Sequence, residues 1–277
     1  MATKLASSAF SAWIDGLDAF LLDCDGVLWR GDAAIAGARE FVSLLRKLGK
    51  RVVFVGIEAA VGDIVTSAWA TVKYIKETGS TGKVYVVGES GLGQELAAEG
   101  FKPLGLQDGE EREIPTPFVV DPEVKTVVVG LDRYMSYYKM AYASCCIRHN
   151  PGCRFVATNP DQTFPVDGSI LPGGGTLVKL IEAAVGRPPE AIVGKPSQDL
   201  LKTILSAYNL DPKRTCMVGD RLSTDIEFGR RGGVQTLLVL TGVTHESELA
   251  HIQDEAQIPH FYVDSVDSVN QLHAQRA

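Results

Sequence analysis

The stretch Ala19-Phe20-Leu21-Leu22-Asp23-Cys24-Asp25-Gly26 decides the fold. An unbroken apolar run of strand length, closed by acids and a glycine, reads as a strand buried on both faces of a parallel sheet. Its polar end falls where ligands of open α/β sheets gather, at the carboxyl ends of the strands. Asp23 and Asp25 repel each other there unless a cation or a shared proton separates their charges.

The surrounding sequence extends this strand into a pattern. Residues 33–48 carry helical spacing, with Ile35, Phe41, Leu44, Leu45 and Leu48 on one face and Gly49 as the cap. Arg51-Val52-Val53-Phe54-Val55 is a second buried strand, so the first fifty-odd residues make a right-handed βαβ unit. Further strands are expected at 83–87, 125–130, 154–157, 191–193, 215–218 and 235–240. Helices are expected at 66–77, 92–99, 136–148, 176–184, 199–208, 224–230 and 264–272. Such alternation is the signature of an α/β protein. Gly173-Gly174-Gly175 before one of these helices either bares backbone to an anion or makes a plain flexible turn.

With 277 residues, the chain exceeds a typical domain of roughly 100–200, so one large domain or two are expected. Its net charge of −7 and the lack of any Lys/Arg-rich run argue against nucleic-acid binding. An anionic substrate must then be met by local donors or a metal. No apolar run reaches the ~18 residues of a membrane span. Five cysteines, an odd number without a CxxC pair, point to free thiols in a reducing compartment, with Cys145 and Cys146 as core residues. The Ala- and Ser-containing start resembles a fragment of an organelle transit peptide and lacks the features of a secretory signal.

Two more segments carry chemistry. In Gly194-Lys195-Pro196-Ser197 the proline holds Lys195 in extended geometry, which suits a fixed cation beside phosphate oxygens; the alternative is a solvated lysine. In Val218-Gly219-Asp220-Arg221-Leu222-Ser223-Thr224-Asp225 a strand again ends on an acid. Asp225 can serve simply as a charge at a helix start, but Asp220 has no such local role. Carboxylates from two strand ends around one point suit a hard cation such as Mg2+. One acid can attack phosphorus and another can move the proton.

These segments, in this order, resemble motifs one, three and four of the haloacid dehalogenase superfamily. More narrowly, Thr66-Ser67-Ala68-Trp69-Ala70, Val128-Val129-Gly130-Leu131-Asp132-Arg133, Ala157-Thr158-Asn159-Pro160-Asp161 and Leu240-Thr241-Gly242-Val243-Thr244 resemble the phosphoglycolate phosphatase / 4-nitrophenylphosphatase group, which includes pyridoxal phosphate phosphatase. The resemblance implies a Rossmann-like core with a parallel sheet, 1–65 and 187–277, and a large inserted α/β cap, 66–186. It implies Asp23 as nucleophile, Asp25 as general acid/base, and Mg2+ held by the Asp23 side chain, the Asp25 backbone carbonyl and Asp220. Asp225 would support the site and Lys195 would hold the phosphoryl group. Asn159, Asp161 and Gly173–Gly175 are candidate cap contacts to substrate, and the cap is a candidate surface for a homodimer. The expected substrate is a small phosphorylated metabolite, 2-phosphoglycolate first, with pyridoxal 5′-phosphate or a broad aryl and alkyl phosphate range as the alternative. The expected compartment is cytoplasmic, or the chloroplast stroma for an enzyme of photorespiration.

The chain departs at one place from the pattern of the family it resembles. The second motif has the form Val-Thr-Asn-Asn-Ser, and here it reads Val55-Gly56-Ile57-Glu58-Ala59. The hydroxyl and both amides are gone, Glu58 adds a negative charge, and too few residues precede Thr66 for the helix expected there. Gly56 remains as a candidate backbone donor to the substrate. Each lost donor to a developing oxyanion costs about 10²–10³ in rate, so reduced activity, or a catalytically impaired binding or regulatory homologue, is expected. A dinucleotide-binding reading fails because no GxGxxG follows the first strand.

Overall fold

In the computed structural model, residues 2–31, 33–56, 64–111, 113–166 and 169–276 are described. Glu58 and Gly62 therefore lie outside the described residues. The chain forms two compact units, Met1–Val65 with Lys195–Ala277, and Thr66–Gly194.

The first unit begins with β1 (Thr3–Lys4), α1 (Ser7–Asp15), β2 (Ala19–Leu22), β3 (Trp29–Arg30), β4 (Ala33–Ala34), α2 (Ala38–Lys47), β5 (Arg51–Val55) and β6 (Ile64–Val65). The second holds α3 (Ser67–Glu77), β7 (Lys83–Val87), α4 (Ser90–Ala98), β8 (Pro103–Leu104), β9 (Val124–Val129), α5 (Tyr137–His149), β10 (Arg154–Ala157), the hairpin β11 (Thr163–Val166) and β12 (Ser169–Pro172), α6 (Gly174–Val185) and β13 (Ala191–Ile192). The chain then returns to the first unit with α7 (Gln198–Ala207), β14 (Thr215–Gly219), a π-helical turn (Leu222–Ile226), α8 (Glu227–Arg231), β15 (Gln235–Val239), β16 (Phe261–Val263) and α9 (Val266–Ala274).

In the first unit the strand order is β1-β16-β15-β14-β2-β5-β6, and all neighbours are parallel. Phe20 and Leu22, Cys216 and Val218, and Leu237 and Val239 alternate onto one face with Val52. There they pack against Phe10, Trp13 and Ile14 of α1, Phe41 and Leu45 of α2, and Val266 and Val269 of α9. Phe20 sits between Trp13 and Phe41, edge-on to both. The start of the chain is thus part of this core; α1 was hidden in sequence because its small residues resemble a transit segment.

Two boundaries differ from the sequence reading. The helix expected over 33–48 begins only at Ala38, because Gly37 takes φ +78 and the residues before it form the β3–β4 hairpin. A side chain at Gly37 would collide with Asp267. The second unit runs on to Gly194, past the expected boundary at 186, because β13 pairs with β10. Its sheet, order β13-β10-β9-β7-β8, is parallel throughout and buries Val127, Val129, Phe155 and Ala157 against α5 and α6.

β5 and β6 are adjacent and parallel, yet only residues 56–63 join them. A parallel crossover containing a helix needs at least about 10–12 residues.

His260, just before β16, gives the first unit an acid-sensitive point. The Arg230 guanidinium donates to Nε2 at 2.8 Å, and the Thr236 N–H lies 3.1 Å from Nδ1. Burial, then the Arg230 charge, push the imidazole below its usual pKa. Its contribution to stability is complete above about pH 6.5 and is lost as pH falls toward the depressed folded value, because the unfolded chain takes the proton first. His260→Gln is expected to flatten the loss of urea midpoint between pH 7.5 and 5.5; an unchanged pH slope would refute this.

Candidate active site

Asp23 follows β2 and Asp220 follows β14, and the two strands are neighbours in register, with Leu22 opposite Val218. Parallel pairing therefore brings the two acids to one edge. Asp225 arrives on the π-helical turn. Gly219 admits it, since a Cβ at 219 would lie 2.1 Å from the Asp225 Cβ. One oxygen from each of Asp23, Asp220 and Asp225 lies within 4.8 Å of the others.

Lys195 enters this group from the residues after β13. Its Nζ donates to Asp23 Oδ1 at 2.5 Å and to Asp225 Oδ1 at 2.7 Å. Asp225 Oδ2 accepts the backbone N–H groups of Asp220 at 3.2 Å and Arg221 at 3.1 Å. Both Asp225 oxygens are thus engaged, which fits a supporting acid better than a ligand. Asp220 Oδ2 accepts the Val243 N–H at 2.7 Å.

Asp23 and Asp220 share one ammonium with Asp225, and burial acts on both of them. Burial pushes Asp23 up to about 8 against the pull of Lys195. Burial, then Asp225, push Asp220 up to about 7 against the Val243 amide. Burial works against the charge of Lys195, but Asp225 and Asp23 outweigh it and raise its pKa. The Cys24 thiol is buried and pushed up to about 12, which keeps it from acting as a nucleophile.

Asp25 stands apart from the trio. Its carboxyl is raised by burial, opposed by a hydrogen bond from the Trp29 side chain and by Lys195.

The remaining candidates fare differently. Gly56 does lie beside the trio, since a Cβ there would be 3.3 Å from Asp23 Oδ1. Its N–H, however, donates to Val65 O at 3.1 Å and is taken up by the β5–β6 ladder. It is not a spare donor. Asn159 and Asp161 follow β10 in the second unit, where Asn159 Oδ1 accepts the Asp161 N–H at 3.1 Å. The triple glycine is neither an open anion cradle nor a loose turn. Gly173 and Gly175 N–H groups donate to Gln162 O and Asp161 O at 2.7 and 2.8 Å, and a Cβ at 174 or 175 would strike the residues that follow β9 and β10. The glycines let α6 start against the sheet. The loop carrying Val243 is the part of the site that sequence reading did not assign. Its signal was the Gly242 that follows a strand end.

Haloacid dehalogenase-like hydrolase models match residues 20–56, and HAD-hydrolase-like models match 192–269. Phosphoglycolate phosphatase 1A, chloroplastic, of Arabidopsis thaliana is 39% identical over 291 positions, covering 96% of this chain and 80% of that protein. The chain belongs to the haloacid dehalogenase-like hydrolases. It is a phosphomonoester hydrolase of that superfamily, with an α/β parallel-sheet core. The 4-nitrophenylphosphatase of Schizosaccharomyces pombe is 36% identical, covering 96% of this chain and 98% of that one. The glycerol-3-phosphate phosphatase of Homo sapiens is 34% identical, over 95% and 93%. A 4-nitrophenylphosphatase structure from Thermotoga maritima superposes with TM-score 0.78 at 26% identity, over 94% and 98%. A glycerol phosphate phosphatase from Mycobacterium tuberculosis in complex with magnesium gives 0.77 at 28%, over 93% and 77%.

The alignment to the Arabidopsis relative spans 291 positions although this chain has 277 residues, so that relative carries residues this hydrolase lacks. Among the described residues of the chain, no helix is long and apolar enough to cross a membrane.

Proposed function

We propose that this hydrolase cleaves a small phosphomonoester, 2-phosphoglycolate first, through an aspartyl-phosphate on Asp23. The observation that carries the reading is Lys195 Nζ bridging Asp23 and Asp225 at the joined ends of β2 and β14. Lys195 pulls the Asp23 carboxyl toward its charged form against burial and would face the phosphoryl oxygens as charge develops on them. Asp23 attacks phosphorus, and the ester P–O bond breaks as Asp25 gives its proton to the leaving oxygen. Asp25 then takes a proton from water, which displaces phosphate from Asp23.

The donor set suits Mg2+. Hard carboxylate oxygens converge within 4.8 Å, and one lysine does not balance their charge. Asp23, Asp220 and the Asp25 carbonyl would hold the ion, which supplies electrostatic stabilisation of the phosphoryl oxygens when bound. Asn159 and Asp161 remain our proposed substrate contacts from the second unit, with residues 66–194 as the inserted cap.

Phosphoglycolate is favoured over other esters because the Arabidopsis relatives of that name align over nearly all of this chain at 39% identity. The five free thiols favour a reducing compartment. Impaired catalysis is the second reading, and the engaged Gly56 N–H favours it. Steady-state hydrolysis of 2-phosphoglycolate, glycerol 3-phosphate, pyridoxal 5′-phosphate and 4-nitrophenyl phosphate, with and without Mg2+, tests both. Magnesium-dependent turnover, fastest on phosphoglycolate, is expected. A folded protein that binds Mg2+ and turns over none of the four would establish the second reading.

A further inference from the structure

The loop Thr241–Thr244, after β15, lies against Asp220. The Val243 N–H donates to Asp220 Oδ2 at 2.7 Å, and the Thr244 N–H donates to the Asp220 backbone carbonyl at 3.1 Å. Thr241 Oγ1 donates to the Gly26 carbonyl at 2.5 Å, and Arg30 donates to the Thr241 carbonyl. The loop is thereby tied both to Asp220 and to the turn that follows Asp25.

Two glycines press on the same carboxylate. A Cβ at Gly26 would fall 2.5 Å from Asp220 Oδ2, and one at Gly242 only 1.7 Å from it. Gly26 has φ +80 and would be glycine for that reason alone. Gly242 has no left-handed backbone to explain it. The three heavy atoms nearest its missing Cβ are Asp220 Oδ2, Cγ and Cβ, at 1.7, 2.3 and 2.5 Å. Because the contact reaches Asp220 Cβ, rotating the carboxylate cannot relieve it. A side chain at 242 must displace the whole Asp220 side chain.

We propose that Gly242 and the Val243 amide position Asp220 as a one-oxygen ligand, and that this grip makes the site favour Mg2+ over Ca2+. With Oδ2 occupied by an amide and walled by two α-carbons, Oδ1 is left for a cation. Mg2+ takes single oxygens in a tight octahedron, whereas Ca2+ is larger and readily accepts both oxygens of a carboxylate. The inference rests on the reading that Asp220 holds a divalent cation. Gly242 acts through Asp220 and touches no substrate, so it is a positioning residue.

The test is calorimetric titration of the full chain with Mg2+ and with Ca2+, without substrate, comparing the parent protein with Gly242→Ala. Partners of metal ligands typically alter affinity about 10–100-fold. Gly242→Ala is expected to weaken Mg2+ binding by such a factor while Ca2+ binding falls less, so that the ratio of the two constants moves toward Ca2+. Val243→Pro, which removes the N–H at an exposed position and also fixes φ there, is expected to move the ratio the same way and serves if the alanine variant does not fold. Circular dichroism confirms the fold of each. Constants that are unchanged, or that fall by one common factor, overturn the proposal. A parent protein that binds neither ion overturns the cation reading itself, and this inference with it.

Discussion

Asp23→Asn lowers kcat on 2-phosphoglycolate by at least ~10⁴-fold, with the fold intact. Removing a covalent nucleophile leaves only the contribution of binding and charge stabilisation. The amide keeps the shape of the side chain and can still meet Lys195, but it cannot attack phosphorus. Loss of folding is not expected to confound the result, because burial already penalises a charge at position 23 and pushes its carboxyl to about 8. The melting temperature without Mg2+ should stay level or rise. Residual turnover within tenfold of the parent would move the nucleophile elsewhere and leave Asp23 as a ligand alone.

Lys195→Met has the second largest effect, and it acts on stability as well as on rate. The Lys195 side chain is 15% exposed, against 14% for Asp23 and 2% for Asp225. Removing one partner of a buried pair leaves an uncompensated charge and typically costs about 3–5 kcal/mol. Here two carboxylates lose their partner together, while the Asp225 Oδ2 amide contacts survive. Turnover should fall about 10²–10³-fold, as for loss of one preorganised donor to the developing charge. The melting temperature should drop and recover partly with Mg2+. Lys195→Arg, which keeps the charge, should restore more stability than activity. Equal stability of the methionine variant and the parent would show that the bridge is not a buried ion pair in solution.

Much of the site was legible in sequence because it sits at strand ends. An apolar run closed by an acid announces both the strand and the residue that its parallel neighbours must face. Asp23, Asp220, Asp225 and Lys195 could therefore be named from their own segments. The second-motif departure was legible for the same reason, since Gly56 stands where a hydroxyl is expected. Helix boundaries were less so. Residues 33–37 have helical composition, and it is the β3–β4 pairing and the left-handed backbone of Gly37 that make the helix wait until Ala38. Likewise β13 reads as a core strand until its pairing with β10 places it in the second unit.

From its residues alone, this chain determined an α/β fold, an aspartate pair at a strand end, a remote lysine and the family that combines them. These are properties of local pattern: apolar runs, turn residues and the spacing of acids. Tertiary structure decided what each group is free to do. The Gly56 N–H was a candidate donor until β6 claimed it. The triple glycine was a candidate anion cradle until its amides and α-carbons were found against Asp161, Gln162 and the residues that follow β9 and β10. Gly242 belonged to a family-like segment without a role of its own until Asp220 proved to fill the space of its missing side chain. Hydrogen-bond partners and empty volume are set by segments distant in sequence, and no reading of one segment contains them.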